Sequence, residues 1–179
     1  MNKKDTVVFD LDGTLLDTLE DLKNSVNYAM TQCGYPEHTL DEVRRYVGNG
    51  ILLLMQRAIP GGKDDPNFDK AFTLFKEHYG KHCNDTTKSY AGIMELLHTL
   101  KENNIKIAIV SNKADFAVKE LNAIYFKDLI PVAIGEKESE GIRKKPAPDT
   151  VIEALKQLGS TAENSVYIGD SDVDIETAR

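Results

Sequence analysis

Two aspartates that directly follow a short apolar strand are the first residues of this chain with the types and spacing for chemistry. Asp10 and Asp12 come after the predicted strand Thr6–Phe9, and Gly13 follows at once. Alternation along an extended strand would put both carboxylates on the same side. Neighbouring carboxylates repel each other, and a fold tolerates that when a cation or a shared proton lies between them. Two aspartates at this spacing, without further partners, more often belong to an acidic turn. Their interpretation therefore depends on partners elsewhere in the chain.

Polar and charged side chains recur just after the later predicted strands. They are Ser111 and Asn112, then Lys145, then Asp170 and Asp174. Ligands of a parallel sheet bind at the carboxyl ends of its strands, so we expect these groups to converge at one edge. Carboxylates, a hydroxyl and an ammonium in one place are typical of a site for a hard cation and a phosphate.

Each later group also has a purely structural explanation. Ser111 could only cap the next helix, and Lys145 could form an ordinary solvated pair with Lys144. Asp170 and Asp174 could belong to an acidic turn that caps a helix. Taken together, these explanations require all the groups to reach one sheet edge by accident, so we favour a functional site.

The elements that must hold these residues alternate between strands and helices in the second half of the chain. Apolar patterning predicts strands at residues 105–110, 132–134 and 166–168, and helices at residues 93–100, 116–124 and 149–158. Strands separated by helices of about ten residues are typical of a parallel α/β sheet.

A helical stretch separates the first strand from this alternating region. Three signals predict helix starts there: capping boxes at Asp17 with Glu20 and at Thr39 with Glu42, and an N-cap at Asp65 before Pro66. We interpret residues 17–86 as an inserted helical cap domain. Residues 1–16 and 87–179 then form the core domain.

Composition and charge exclude several classes of function. The chain has 179 residues, 41% of them hydrophobic, which suffices for a packed core. Its net charge of −7 argues against nonspecific nucleic-acid binding. The apolar runs are too short to span a bilayer and no secretory signal is visible, so we expect no membrane association. Cys33 and Cys83 make no disulfide framework, and we expect a cytoplasmic protein.

The groups together resemble the four motifs of the haloacid dehalogenase-like hydrolases. The matching segments are D-L-D-G-T at residues 10–14, Ser111 after its strand, Lys145-Pro146, and G-D-S-D-V-D at residues 169–174. The helical insertion is similar to the cap of the phosphoglycolate phosphatase-like branch. The resemblance implies an α/β fold with a Rossmann-like parallel sheet core and an inserted α-helical cap domain. Family members continue with a further strand and helix, so C-terminal elements of the core are expected to be missing.

The resemblance also implies catalytic and metal-binding roles. Asp10 would attack a phosphate monoester and form an aspartyl-phosphate, while Asp12 would protonate the leaving oxygen and later deprotonate water. Mg2+ would be bound by the side chain of Asp10, the backbone carbonyl of Asp12, and Asp170. Asp174 would bind the ion through a water or orient Lys145.

The remaining implied roles concern substrate binding. The phosphate would be bound by Ser111, Asn112 and Lys145, and the organic part by Gly48, Asn49 and Gly50 of the cap. The expected activity is Mg2+-dependent hydrolysis of a small phosphorylated metabolite, with 2-phosphoglycolate as first choice. Alternatives on the same core are a pyrophosphatase, a sugar-phosphate phosphatase and a phosphomutase. A receiver-like or inactive phosphate-binding protein is the alternative from another class, and the oligomeric state stays open.

Overall fold

The computed structural model describes residues 4–179. Its strands and α-helices, in chain order, are β1 (Thr6–Phe9), β2 (Leu16–Asp17), α1 (Leu19–Gln32), α2 (Leu40–Tyr46), α3 (Ile51–Ala58), α4 (Phe68–His82), β3 (Lys88–Ser89), α5 (Ile93–Glu102), β4 (Lys106–Ala114), α6 (Asp115–Tyr125), β5 (Val132–Glu136), α7 (Asp149–Leu158), β6 (Ser165–Ile168) and α8 (Asp172–Thr177). Short 3-10 helices cover Gly62–Asp64, Glu138–Glu140 and Ala162–Asn164. Within the described range, no helix is both long enough and apolar enough to cross a membrane.

The chain divides into two compact units. The first contains the described residues up to Leu16 together with Ser89–Arg179, and the second contains Asp17–Lys88. Four parallel strands form the sheet of the first unit, in the order β5-β4-β1-β6. The predicted α/β fold with a parallel sheet core is therefore confirmed.

Alternate residues of β4 pack on opposite faces of this sheet. Ile107 and Ile109 belong to a buried cluster that includes residues of α5 and α6, whereas Ala108 and Val110 belong to a second cluster with residues of α7. Because helices cover both faces, the strand is apolar at successive positions, as expected for a buried parallel strand.

Strand β4 continues past the apolar run from which it was predicted. The prediction ended at Val110, but the strand extends to Ala114, with a register shift against β5 in this part. Ser111, Asn112 and Lys113 lie in the extension and are buried. Their polar atoms have partners inside the fold, so the loss of apolar character does not end the strand.

The second unit is built from α1, α2, α3 and α4 around its own apolar cluster. Val26, Met30, Met55 and Phe75 are fully buried in that cluster. The sequence places such residues on one face of each helix, and burying that face stabilises the helices more than their intrinsic propensity does.

Of the two predicted capping boxes, one is confirmed and one is wrong. At the start of α2 the Thr39 hydroxyl accepts from the backbone N–H of Glu42, and the Glu42 side chain accepts from Thr39. By contrast, α1 begins at Leu19 without a side-chain cap. Asp17 is extended in β2, which pairs with β3, so it does not adopt the N-cap position.

The start of α4 also differs from the prediction. The helix begins at Phe68 after Asn67, not directly after Asp65. The Asp65 carboxylate accepts hydrogen bonds from the Tyr35 hydroxyl at 2.6 Å and from the Asn67 backbone N–H at 2.8 Å. The bond from Asn67 forms a turn that precedes the helix.

Candidate active site

Asp10 lies at the carboxyl end of β1, between the ends of β4 and β6. Its backbone N–H donates to the Ile168 carbonyl at 2.8 Å, and the residue is only 7% exposed. Burial raises the pKa of its carboxyl group to about 6, although the charge of Lys145 opposes this shift. Asp10 is therefore an anion at neutral pH, and Lys145 offsets part of the effect of burial.

Three carboxyl groups from distant parts of the chain meet at this edge of the sheet. Asp10, Asp170 and Asp174 each offer an oxygen, and these oxygens lie within 4.8 Å of one another. Burial and the nearby charge of Asp174 raise the pKa of Asp170. Asp10 Oδ1 is buried without a hydrogen bond of good geometry, although Lys145 Nζ lies 2.9 Å away. Clustered carboxylate oxygens of this kind fit a hard divalent cation such as Mg2+.

Lys145 supplies the positive charge at this cluster. Its Nζ lies 2.9 Å from Asp10 Oδ1 and 2.7 Å from Asp174 Oδ1, and it donates to the Tyr167 hydroxyl at 3.0 Å. The residue is 3% exposed. Removing this ammonium would leave two buried carboxylates without their cationic partner.

Asn112 holds Lys145 in place. Its amide Nδ2 donates to the Lys145 carbonyl at 3.0 Å, and its Oδ1 accepts from the Lys145 N–H at 2.9 Å. Both functional groups of this side chain are thus used by the backbone of Lys145. Asn112 was predicted to bind phosphate, and that role stays a prediction, while its contacts also support a positioning role.

Asp174 combines two roles in one side chain. Its Oδ2 accepts from the backbone N–H and hydroxyl of Ser171, which form a capping box at the start of α8. Its Oδ1 accepts from Lys145 and from the Tyr167 hydroxyl. Burial tends to raise its pKa, but Lys145 and these hydrogen bonds hold the pKa below its usual value. Asp174 therefore remains charged beside Lys145, and its predicted role in orienting that lysine stays a prediction.

Asp12 forms a separate ion pair. Its Oδ1 and Oδ2 lie 2.8 Å and 3.0 Å from Nζ of Lys113, whose side chain is 3% exposed. The carboxylate of Asp12 is not part of the group formed by Asp10, Asp170 and Asp174. Strand β1 ends at Phe9, so alternation along a strand does not determine where the Asp12 side chain lies.

Two glycines allow the acidic groups to approach the backbone. Gly13 has a φ of +82°, and a Cβ atom there would overlap the carboxylate of Asp170. A Cβ atom on Gly169 would overlap the side chain of Asp174. Any larger residue at either position would displace a carboxylate of the cluster.

The other predicted binding residues occupy two separate regions of the chain. Ser111 is buried next to Asn112 on β4, and its Oγ accepts from the Lys113 backbone N–H at 3.3 Å. Gly48, Asn49 and Gly50 lie in the second unit, between α2 and α3. Their roles in binding phosphate and the organic part of a substrate stay predictions.

Two residues of the site were not assigned a role from the sequence. Neither Lys113 nor Tyr167 was predicted to contribute to the site. No alternation in the sequence singles out Tyr167, because its neighbours Val166 and Ile168 are also apolar, although in the structure they are exposed while Tyr167 packs inward. Lys113 had no local signal either, since its partner lies far away in the sequence.

Comparison with known proteins decides the family. The sequence model described as haloacid dehalogenase-like hydrolase matches residues 7–179. The chain belongs to this family. The match includes the motifs that contain Asp10, Lys145 and Asp170, and the predicted family is confirmed.

Relatives by sequence and by structure agree with this membership. Phosphoglycolate phosphatases from Pseudomonas putida and Aquifex aeolicus are 31% and 32% identical to this haloacid dehalogenase-like hydrolase over 97% of its length. The chain covers 65% of the Pseudomonas protein and 79% of the Aquifex protein. A crystal structure of a proposed phosphoglycolate phosphatase from Lactobacillus delbrueckii superposes with a TM-score of 0.89 at 34% identity, covering 98% of this chain and 82% of that one. These homologues indicate a phosphoric monoester hydrolase.

Proposed function

We propose that this chain is a Mg2+-dependent phosphatase that hydrolyses a small phosphate monoester through an aspartyl-phosphate on Asp10. The observation that carries the proposal is the group of Asp10, Asp170 and Asp174 with the ammonium of Lys145 at 2.9 Å from Asp10. The names of the relatives make 2-phosphoglycolate the first substrate to test. We also propose that residues 17–86 act as a cap domain and that the protein works in the cytoplasm.

The reaction consists of two displacements at phosphorus. A carboxylate oxygen of Asp10 forms a bond to phosphorus as the bond to the leaving oxygen breaks, and Asp12, which takes up a proton when the substrate binds, gives that proton to the leaving oxygen. Asp12 then removes a proton from water, whose oxygen attacks phosphorus and breaks the bond to Asp10. Inorganic phosphate leaves, and both aspartates return to their starting states.

The remaining residues bind rather than react. Lys145 would neutralise the transferring phosphoryl group, and Ser111 would donate a hydrogen bond to it. Asn112 and Asp174 would keep Lys145 in position through the contacts described above. In the second unit, the segment from Gly48 to Gly50 would contact the organic part of the substrate.

The acidic cluster fits Mg2+ by the chemistry of its donors. Asp10 and Asp170 would bind the ion directly, with the backbone carbonyl of Asp12 as a further ligand. A bound Mg2+ would reduce the repulsion between the nucleophilic carboxylate and the phosphate. Asp174 would stay in the outer sphere, because both of its oxygens already accept hydrogen bonds.

A phosphate-release screen tests the proposal. The panel contains 2-phosphoglycolate, sugar phosphates and pyrophosphate, each with Mg2+ and with a chelator. Asp10→Asn should abolish release, and the exposed Asp128→Asn should have no effect. Release by the Asp10→Asn variant, or by the wild type in chelator, would refute the mechanism. Isomerised product without net release would indicate a phosphomutase instead.

A further inference from the structure

Lys113 and Asp12 form a buried ion pair beside the acidic cluster. Lys113 comes from the buried end of β4, and its ammonium contacts both oxygens of Asp12 at 2.8 Å and 3.0 Å. The side chains are 3% and 17% exposed. A short ion pair with so little access to water holds its partners in one arrangement, because each charge needs the other.

This pair separates two carboxylates that are only two residues apart in sequence. Asp10 joins Asp170 and Asp174, while the carboxylate of Asp12 is bound by Lys113 and stays outside that group. An unpaired Asp12 could turn toward the cation-binding cluster and lose its access to the reacting proton. Lys113 therefore holds the Asp12 carboxylate apart from the acidic cluster, a role that neither the motifs nor the family comparison assigns.

We propose that Lys113 is a positioning residue that keeps the carboxyl group of Asp12 available for proton transfer. The inference rests on the proposed function, in which Asp12 protonates the leaving oxygen. Lys113 itself neither reacts nor binds the phosphoryl group. Its loss should therefore impair catalysis only to the extent that a step depends on proton transfer by Asp12.

Leaving groups of different acidity distinguish this role from others. An alkyl phosphate such as 2-phosphoglycolate needs a proton on its leaving oxygen, whereas 2,4-dinitrophenyl phosphate releases a stable anion. In Lys113→Met, the rate of the first phosphoryl transfer should fall about 100-fold with the alkyl phosphate, in the range of general acid catalysis. With the dinitrophenyl ester it should fall less than about 10-fold, because protonation is not required there.

The second half-reaction supplies an independent readout. Water attack on the aspartyl-phosphate also uses Asp12, so Lys113→Met should release dinitrophenolate in a burst of about one equivalent of enzyme before slow turnover. Asp12→Asn should show the same pattern. Lys119→Met is the matched control, since it removes an exposed lysine from its ion pair with the half-buried Asp115 and should leave every rate unchanged.

A double variant keeps the test decisive if Lys113→Met folds poorly. Asp12→Asn with Lys113→Met removes both charges of the pair, and it should be no slower than Asp12→Asn alone. Equal losses on both substrates, an unchanged rate in Lys113→Met, or a further loss in the double variant would each overturn the role of Lys113. If the wild type releases no leaving group from any phosphate ester, the proposed function fails, and this inference fails with it.

Discussion

Asp10 is buried, which disfavours its charged form and makes the stability of the folded protein depend on pH. Its pKa is raised to about 6, mainly by burial, whereas an unfolded aspartate has a pKa of about 3.9. Between these values the folded state holds a proton that the unfolded state has lost. The free energy of unfolding of the metal-free protein therefore falls as the pH rises through this window.

We expect the metal-free wild type to lose about 2–3 kcal/mol of unfolding free energy between about pH 4 and about pH 7, relative to Asp10→Asn. The asparagine does not titrate, so the difference between the two proteins isolates the contribution of Asp10. Urea unfolding in the presence of a chelator measures it at each pH. Parallel pH profiles for the two proteins would contradict the raised pKa.

Gly13 offers a test of the close approach to Asp170. Gly13 and Gly34 have similar φ values of +82° and +77°, but a Cβ atom meets nothing within 4 Å at Gly34 and overlaps Asp170 at Gly13. Each alanine substitution should cost about 1–2 kcal/mol from the left-handed backbone. Only Gly13→Ala should also weaken Mg2+ binding and phosphate release, by about 10-fold or more. A titration showing equal Mg2+ affinity in both variants would exclude displacement of Asp170.

The positions of some site residues can be predicted from the sequence, and those of others cannot. Asp10 and Asp170 follow apolar strands, so strand ends and residue type predict where they lie. The contact between Lys113 and Asp12 joins residues 101 positions apart, and it depends on the bulged end of β4. No local pattern contains that information, because side-chain partners across a sheet depend on strand order and register.

Within the second unit, one carboxylate connects the first and last parts of the segment. Asp21 on α1 accepts hydrogen bonds from the backbone N–H and hydroxyl groups of Thr86 and Thr87, at distances from 2.6 Å to 3.1 Å. Asp21 is 1% exposed. Burial tends to raise its pKa, but these hydrogen bonds hold the pKa below its usual value.

Asp21→Asn should therefore destabilise the protein by about 1–3 kcal/mol. The amide NH2 replaces one acceptor oxygen and would face the N–H and hydroxyl donors of Thr86 and Thr87. A lowered folded-state pKa means that this stability is present above the unfolded value of about 3.9 and is lost as the pH falls through the folded value. Urea unfolding at neutral and acidic pH measures both effects. The exposed Asp69→Asn serves as control, and an equal effect of the two substitutions would refute the role of Asp21.

The predicted bounds of a helix are correct where local sequence signals have no competing interaction. Helix α7 begins after Pro148 and ends before Gly159, as expected, since both residues impose their preferences on the backbone. Asp17 failed as a cap because strand pairing outweighed a side-chain signal at that point. Such competition is invisible in the sequence, since the pairing partner lies in β3.

At the scale of the molecule, the fold class was predictable because alternation of strands and helices allows few topologies. The acidic character of the chain was equally visible, with a net charge of −7. What the sequence could not show is how strongly the site concentrates that charge. Three carboxyl groups lie within 4.8 Å of one another with one buried lysine among them, so the metal-free protein carries local repulsion that a bound cation would relieve.

Mg2+ should therefore stabilise the whole protein as well as support its chemistry. At a concentration of about 100 times the dissociation constant, binding to the folded state alone adds about 2.7 kcal/mol, which corresponds to a rise of roughly 5–10 °C in Tm for a chain of this size. The rise should shrink at about pH 5, because the pKa of Asp10 is about 6 and protons then compete with the cation. Thermal unfolding with Mg2+ and with chelator measures the difference at both pH values. Asp170→Asn should lose the rise, whereas the exposed Asp128→Asn should keep it. A Tm that is independent of Mg2+ in the wild type, or an equal rise in Asp170→Asn, would show that the three-carboxylate cluster is not where the cation binds.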